Sequence, residues 1–245
     1  MCCNITDCDF LAESPCKNIV LLALSGSRGY GTDIEGSDID IRGVALNSPE
    51  NILLMNDFGS YHSSTSDTTI YSLEKFFKLA SNCNPAAIEL LGFDKNKYIY
   101  LNEFGIAIID NKDVFLSKLC IKPFEGYANQ TLKNIEKIKQ STRDECKINK
   151  NILHYIRLKT MLIEILEKGE INTYRKDRKF LLQVRKGLFF NNGEFNSDYK
   201  CFVNSLNNRL EYAKRNTCLP DLPNYKSINE IHKSINYNLI YQNKE

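Results

Sequence analysis

Asp38 and Asp40, separated by one residue, stand in the stretch S-D-I-D-I-R-G-V over residues 37–44, where polar and apolar side chains alternate. On a pleated strand, side chains at i and i+2 leave the same face, so these two carboxylates converge and their repulsion calls for a cation such as Mg²⁺. Upstream lies Gly26-Ser27-Arg28-Gly29-Tyr30-Gly31, directly after a short apolar run. A glycine-serine turn at that place puts backbone N–H groups and a hydroxyl where phosphate oxygens can sit without a side-chain clash. Together the turn and the carboxylates describe in-line attack at the α-phosphorus of a nucleoside triphosphate. That chemistry commonly uses two metal ions about 3.5–4 Å apart, one holding the attacking hydroxyl and one neutralising the triphosphate. Asp38 and Asp40 could bridge both ions. A third carboxylate is needed from a neighbouring strand, and Asp67, heading D-T-T-I-Y, is a better candidate than Glu74 or Asp57 by strand context and chain order. Ser27 would hold a β- or γ-phosphate. Arg28 and Arg42 could meet phosphate charge or substrate backbone, or simply neutralise the acidic cluster.

The elements that must position these residues follow from pattern. The continuous apolar run over 18–25 predicts a strand buried on both faces, and the alternation over 37–44 predicts a second strand. Ser48-Pro49-Glu50 starts a short helix through Leu54, a strand returns at 67–71, and Ser72 caps a helix over 73–80 with apolar residues at helical spacing. Beyond Asn84-Pro85 the chain turns helical, with one further strand at 97–101 and helices over 126–147, 151–168, 176–186, 198–215 and 227–237. The expected fold class is α/β (α+β). A catalytic core with a small mixed sheet spans residues 1–95, and a mostly helical C-terminal domain over 96–245 closes the nucleotide and acceptor cleft.

Several residues of the helical half invite a role. His154 and Arg157 share a helix face and could reach back to the triphosphate or the acceptor, or lie together on the helix surface. Tyr127 and Gln130, neighbours on one face, could stack on or hydrogen-bond a base, although core packing is the expectation for the tyrosine. Asn84-Pro85 and Glu89 read as a helix start and a structural hydrogen bond. The central helices are basic through Lys133, Lys137, Lys139, Lys147, Lys150 and Lys159, but Glu136, Asp144 and Glu145 interrupt them; an RNA groove and a solvated face fit equally.

Composition limits the alternatives. With 42% hydrophobic and 25% charged residues among 245, the chain is neither disordered nor fibrous, and a formal charge of +2 does not by itself name a polyanion partner. The longest apolar run, over 19–24, falls far short of the roughly 20 residues of a membrane helix. No basic segment followed by an apolar stretch opens the chain, so a cytoplasmic protein is expected. The nine cysteines contain no C-x-x-C pair and read as reduced thiols. Cys2, Cys3, Cys8 and Cys16 match no common zinc spacing and are assigned to a frayed terminus.

The pattern G-S-x(9)-S-D-x-D resembles the DNA polymerase β-like nucleotidyltransferase superfamily, with its G-S turn, D-x-D strand and third carboxylate on a later strand. The longer version, with D-T-T-I-Y-S-L-x-K-F-x-x-L-A and N-P-x-x-I-E-L-L, is similar to the YcgL/RlaP-type predicted nucleotidyltransferases, some of them associated with RNA ligases and RNA repair. Echoes continue at 115–118 (F-L-S-K), 126–130 (G-Y-A-N-Q), 154–158 (H-Y-I-R-L), 181–187 (L-x-x-V-R-K-G) and 219–225 (L-P-D-L-P-N-Y), so the resemblance covers nearly the whole chain. It departs at Lys186-Gly187-Leu188, where a Gly-Glu pair is often found, and no acid is assigned there. The resemblance implies a polymerase-β-like core; two Mg²⁺ ions, with Mn²⁺ as a substitute, on Asp38, Asp40 and Asp67; and an NTP held by Gly26, Ser27, Arg28, Arg42, His154 and Arg157. It also implies an RNA acceptor, such as a tRNA 3′ end. Two rivals stand beside it: a transferase that places NMP on a protein hydroxyl, and a non-catalytic nucleotide-binding module of antitoxin type.

Overall fold

The computed structural model describes residues 16, 18–63 and 67–242. Five strands, β1 (Asn18–Leu24), β2 (Ile41–Leu46), β3 (Ser60–Ser63), β4 (Thr68–Ser72) and β5 (Tyr98–Leu101), form one mixed sheet in the order β3-β4-β2-β1-β5. β2 and β4 run parallel, and the remaining pairs are antiparallel. β1 is an interior strand between β2 and β5, and Val20 to Ala23 are buried on both faces, as a continuous apolar run requires.

Helices cover one face. The turn α1 (Gly26–Tyr30) follows β1, and α2 (Pro49–Leu53), α3 (Leu73–Ser81), α4 (Pro85–Leu91) and α5 (Glu103–Asp110) follow in order. Their starts are chemically marked. Ser48, Ser72 and Asn84 accept hydrogen bonds from the backbone N–H groups of Asn51, Lys75 and Ala86, and prolines occupy the first turns of α2 and α4. The second half consists of α6 (Ile121–Gln140), α7 (Glu145–Lys168), α8 (Arg178–Arg185), α9 (Ser197–Asn216) and α10 (Tyr225–Gln242), with a small β6–β7 hairpin (Phe190–Asn191, Glu194–Phe195) before α9.

Three expectations change. The break expected between the helices over 126–147 and 151–168 falls earlier, at 141–144, because Arg143 takes φ 53° and Asp144 caps the second helix by accepting from the Lys147 N–H. The sheet takes its fifth strand from residues 98–101, past the boundary expected at 95. One apolar core runs from Val20 and Phe76 through Ile88 to Ile152 and Leu162. Cys2, Cys3 and Cys8 lie outside the described residues, whereas Cys16 is buried against Leu22, Ile41, Ala45 and Ile70 on the far face of the sheet and belongs to no frayed end. Among the described residues no helix is long and apolar enough to cross a membrane.

Candidate active site

Strand pairing gathers the sequence motifs at one end of the sheet. Leu24 at the end of β1 pairs with Ile41 at the start of β2, and Ile41 pairs with Thr68 at the start of β4. The residues just outside these pairs, Ser25-Gly26, Asp40 and Asp67, therefore meet. The Ser25 N–H donates to the Asp40 carbonyl (2.8 Å) and the Ile41 N–H to the Asp67 carbonyl (3.2 Å). The strand expected over 37–44 begins only at Ile41. Arg28 is the reason: its Nε donates to the Asp38 carbonyl (3.3 Å) and its Nη2 to the Ser37 carbonyl (3.1 Å), so this backbone is held by a guanidinium instead of a neighbouring strand. Arg28 thus shapes the D-x-D segment.

Asp40 is half-buried, with the Asp67 carboxylate within hydrogen-bonding reach. Burial first, then the hydrogen bond and charge of Asp67, raise Asp40 above the ordinary carboxylate range, against the pull of Arg42 and Lys150. Asp67 takes φ 44°, a conformation that aspartate tolerates better than most residues. Asp38 is exposed and lines the same cleft as Asp40. Among the described residues no three His, Cys, Asp or Glu side chains stand close enough to hold a metal together. Asp40 and Asp67 touch, and Asp38 stands apart. The donors are all carboxylate oxygens, and two of them meet in a contact that a proton or a hard cation must relieve; this set fits Mg²⁺ or Mn²⁺.

A cleft of about 180 Å³ opens in front of Asp38 and Asp40, lined by them with Gly26 and Ser27 on one side and by Lys150, His154 and Arg185 on the other. Arg185 Nη1 donates to the Thr32 carbonyl (2.7 Å), which ties α8 to the loop after α1. His154 stands edge-on to Tyr30 (6.4 Å, 83°). Desolvation, then Arg157, Lys150 and Arg185, push its imidazole down to about 3, so it is neutral near pH 7. Acids thus face cations across a narrow gap, a charge pattern suited to a metal-bound polyphosphate.

The other site candidates lie elsewhere. Arg157 neither enters the cleft nor lies on the surface: it is 4% exposed, its Nη1 donates to Glu89 Oε1 (2.6 Å), and its guanidinium sits 3.7 Å from the Tyr30 ring centroid. Glu89 also accepts from the Tyr30 hydroxyl (2.8 Å). Arg42 is half-buried in a neighbouring hollow. Tyr127, expected in the core, is 49% exposed, and its hydroxyl oxygen accepts from Asn84 Nδ2 (3.1 Å). Glu74 pairs with His232 (3.2 Å), and Asp57 accepts from the Gly59 N–H two residues on and from Asn47 Nδ2 just past β2. Sequence reasoning missed Arg185 as a cleft residue; its signal was the V-R-K-G echo at 184–187.

A family model described as RlaP, RNA repair pathway DNA polymerase beta family, matches residues 9–234. The chain belongs to that family. The RlaP match takes in both the sheet with its acidic end and the helices that supply the cationic wall. No curated protein and no solved structure matches this RlaP-family chain.

Proposed function

We propose that the protein is a metal-dependent nucleotidyltransferase that moves NMP from an NTP to the 3′ hydroxyl of an RNA, with tRNA ends among the acceptors, and releases pyrophosphate. The observation that carries this reading is the meeting of Gly26-Ser27, Asp40 and Asp67 at one sheet end, opposite Lys150 and Arg185. Family membership supports the acceptor class. Asp40 and Asp67, with Asp38 at the rim, would hold the divalent ions, which when bound neutralise the triphosphate and polarise the attacking hydroxyl. The Ser27 hydroxyl and the N–H groups of the turn bind the phosphates, and Lys150 and Arg185 balance their charge. The acceptor oxygen forms a bond to the α-phosphorus, the bond to the β-phosphate oxygen breaks with its electron pair on pyrophosphate, and the hydroxyl proton passes to Asp67. His154, being neutral, can hydrogen-bond a phosphate without adding charge.

The test is incubation of the purified protein with Mg²⁺, each α-³²P-labelled NTP in turn, and total RNA plus cell lysate, beside Asp40→Asn. Label in RNA that disappears in the variant supports the reading. Label in a protein band moves the acceptor to a protein hydroxyl, and label in neither overturns nucleotidyl transfer.

A further inference from the structure

A second hollow, of about 270 Å³, shares His154 with the catalytic cleft as a common wall. It is larger than the cleft beside it and large enough for a base, which leaves the cleft for the triphosphate. Arg42 reaches it from the start of β2, two residues beyond Asp40. This half-buried guanidinium has no hydrogen bond or ion pair among the described residues. Arg157 lines the same hollow, and its buried Nε has no hydrogen-bond partner in the structure. Two guanidiniums and one carboxylate, Glu89, line the hollow, so its lining is positive, with Asp40 in the adjoining cleft offsetting part of the Arg42 charge. Glu89 is itself occupied by Arg157 and by the Tyr30 hydroxyl.

The rim has a different chemistry. Tyr127 projects half-exposed from α6, its ring fixed through its hydroxyl by Asn84, which also caps α4. One turn along, Gln130 Nε2 donates to Asn134 Oδ1 (3.1 Å), and these two amides leave donors and acceptors open toward the hollow. An aromatic plate, side-chain amides and a positive floor with unsatisfied donors are together the features that bind a nucleotide: stacking for the base, amides for its edge and guanidinium for phosphate.

We propose that this hollow binds a nucleotide, with its base stacked on Tyr127 and read by Gln130, and a phosphate oxygen on Arg42. The inference rests on reading the adjacent cleft as the site of nucleotidyl transfer. Two sources share this chemistry: the incoming NTP, which would make the hollow set base preference, and the terminal nucleotide of the RNA acceptor.

The chain contains no tryptophan, so Tyr127→Trp places a single tryptophan at the rim that can be excited apart from the tyrosines; the exposed Tyr212→Trp on α9 serves as a tryptophan away from it. Each variant is titrated with α,β-methylene analogues of the four NTPs and, separately, with a short RNA ending in a 3′ hydroxyl. Saturable quenching of at least twofold is expected at position 127 and not at 212, with Kd weakened about tenfold when Arg42→Gln is added. Quenching by an analogue alone assigns the hollow to the incoming nucleotide, and quenching by RNA alone assigns it to the acceptor end. No quenching by either overturns the inference, even if the wild-type protein transfers label. Conversely, quenching in a protein that transfers nothing keeps the hollow and sinks the reaction.

Discussion

The carboxylate of Asp40 fills the space that a β-carbon would need at position 26. Gly26 holds φ +57°, and a methyl group there would overlap Asp40 Oδ2. Both effects act at one place, but they differ in kind. The left-handed backbone makes Gly26→Ala less stable by about 1–2 kcal/mol. The clash falls on the movable end of a side chain, so the fold survives while the carboxylate swings away. Gly26→Ala should therefore keep its far-UV circular dichroism and melt a few degrees lower, yet lose nucleotide transfer about 100-fold or more. Near-normal transfer in a folded variant would show that the position of Asp40 against the turn is not critical.

Asp40 is harder to ionise than an ordinary aspartate, first because it is buried and then because it meets Asp67, and the two carboxylates repel unless a proton or a cation lies between them. Millimolar Mg²⁺ or Mn²⁺ should raise the melting temperature at pH 7.5, because a ligand that binds only the folded state stabilises it by mass action. Asp67→Asn removes one of the two charges. Without metal the variant should melt at or above the wild-type temperature; with metal it should gain little, and transfer should fall at least about 100-fold through lost charge stabilisation. Thermal melts with and without chelator read this directly. An unchanged metal-induced shift in Asp67→Asn would remove Asp67 from the ion site.

How far the sequence could be read depended on whether the deciding interaction was local. The caps at Ser48, Ser72 and Asn84 are short-range signals that the structure carries, and so is the strand pattern from Ile41 onward, whereas its first residues, 37–40, are held by Arg28 outside the strand. The meeting of the glycine turn with Asp40 and Asp67 was legible because strand order and direction place all three at one sheet end. Arg157 was not legible: its spacing from His154 fixes the helix face but not what that face meets, here Glu89 on α4. Tyr127 shows the same limit, since helical period does not tell a buried face from the wall of a hollow. The break at Arg143-Asp144 lies within charged residues that continue a helical pattern, which hid a left-handed residue and an N-cap. β5 lies beside β1 through a pairing of residues some eighty positions apart, which no local pattern encodes.

His154 gives the stability a pH signature. In the unfolded chain its imidazole titrates near 6.5, and in the folded protein it is pushed down to about 3 by desolvation and by Arg157, Lys150 and Arg185. Between those values the unfolded chain binds the extra proton, so this residue's contribution is present above about 6.5 and is lost as pH falls toward about 3. Its slope is at most about 1.4 kcal/mol per pH unit. Asp40, shifted upward, acts with the opposite sign, so the readout is the difference between wild type and His154→Gln. Urea midpoints at pH 7.5 and 5 should fall further for wild type than for the variant. Parallel pH profiles would mean that the folded imidazole titrates normally.

The Glu89–Arg157 pair joins α4, which packs with the sheet, to α7 of the helical half, and both side chains are almost fully buried (6% and 5% exposed). Buried ion pairs respond asymmetrically to mutation: removing one partner strands a charge and costs about 3–5 kcal/mol, whereas replacing both with apolar groups of similar size is often neutral. Glu89→Ala should therefore be severely destabilised, the more so because it also deprives the buried Tyr30 hydroxyl of its acceptor. Glu89→Met combined with Arg157→Met should recover most of that loss. The check is a double-mutant cycle of urea-unfolding free energies across Glu89→Met, Arg157→Met and their combination. A double variant as unstable as the sum of the singles would mean that the two charges contribute independently, and the bridge between α4 and α7 would then rest on packing around Tyr30.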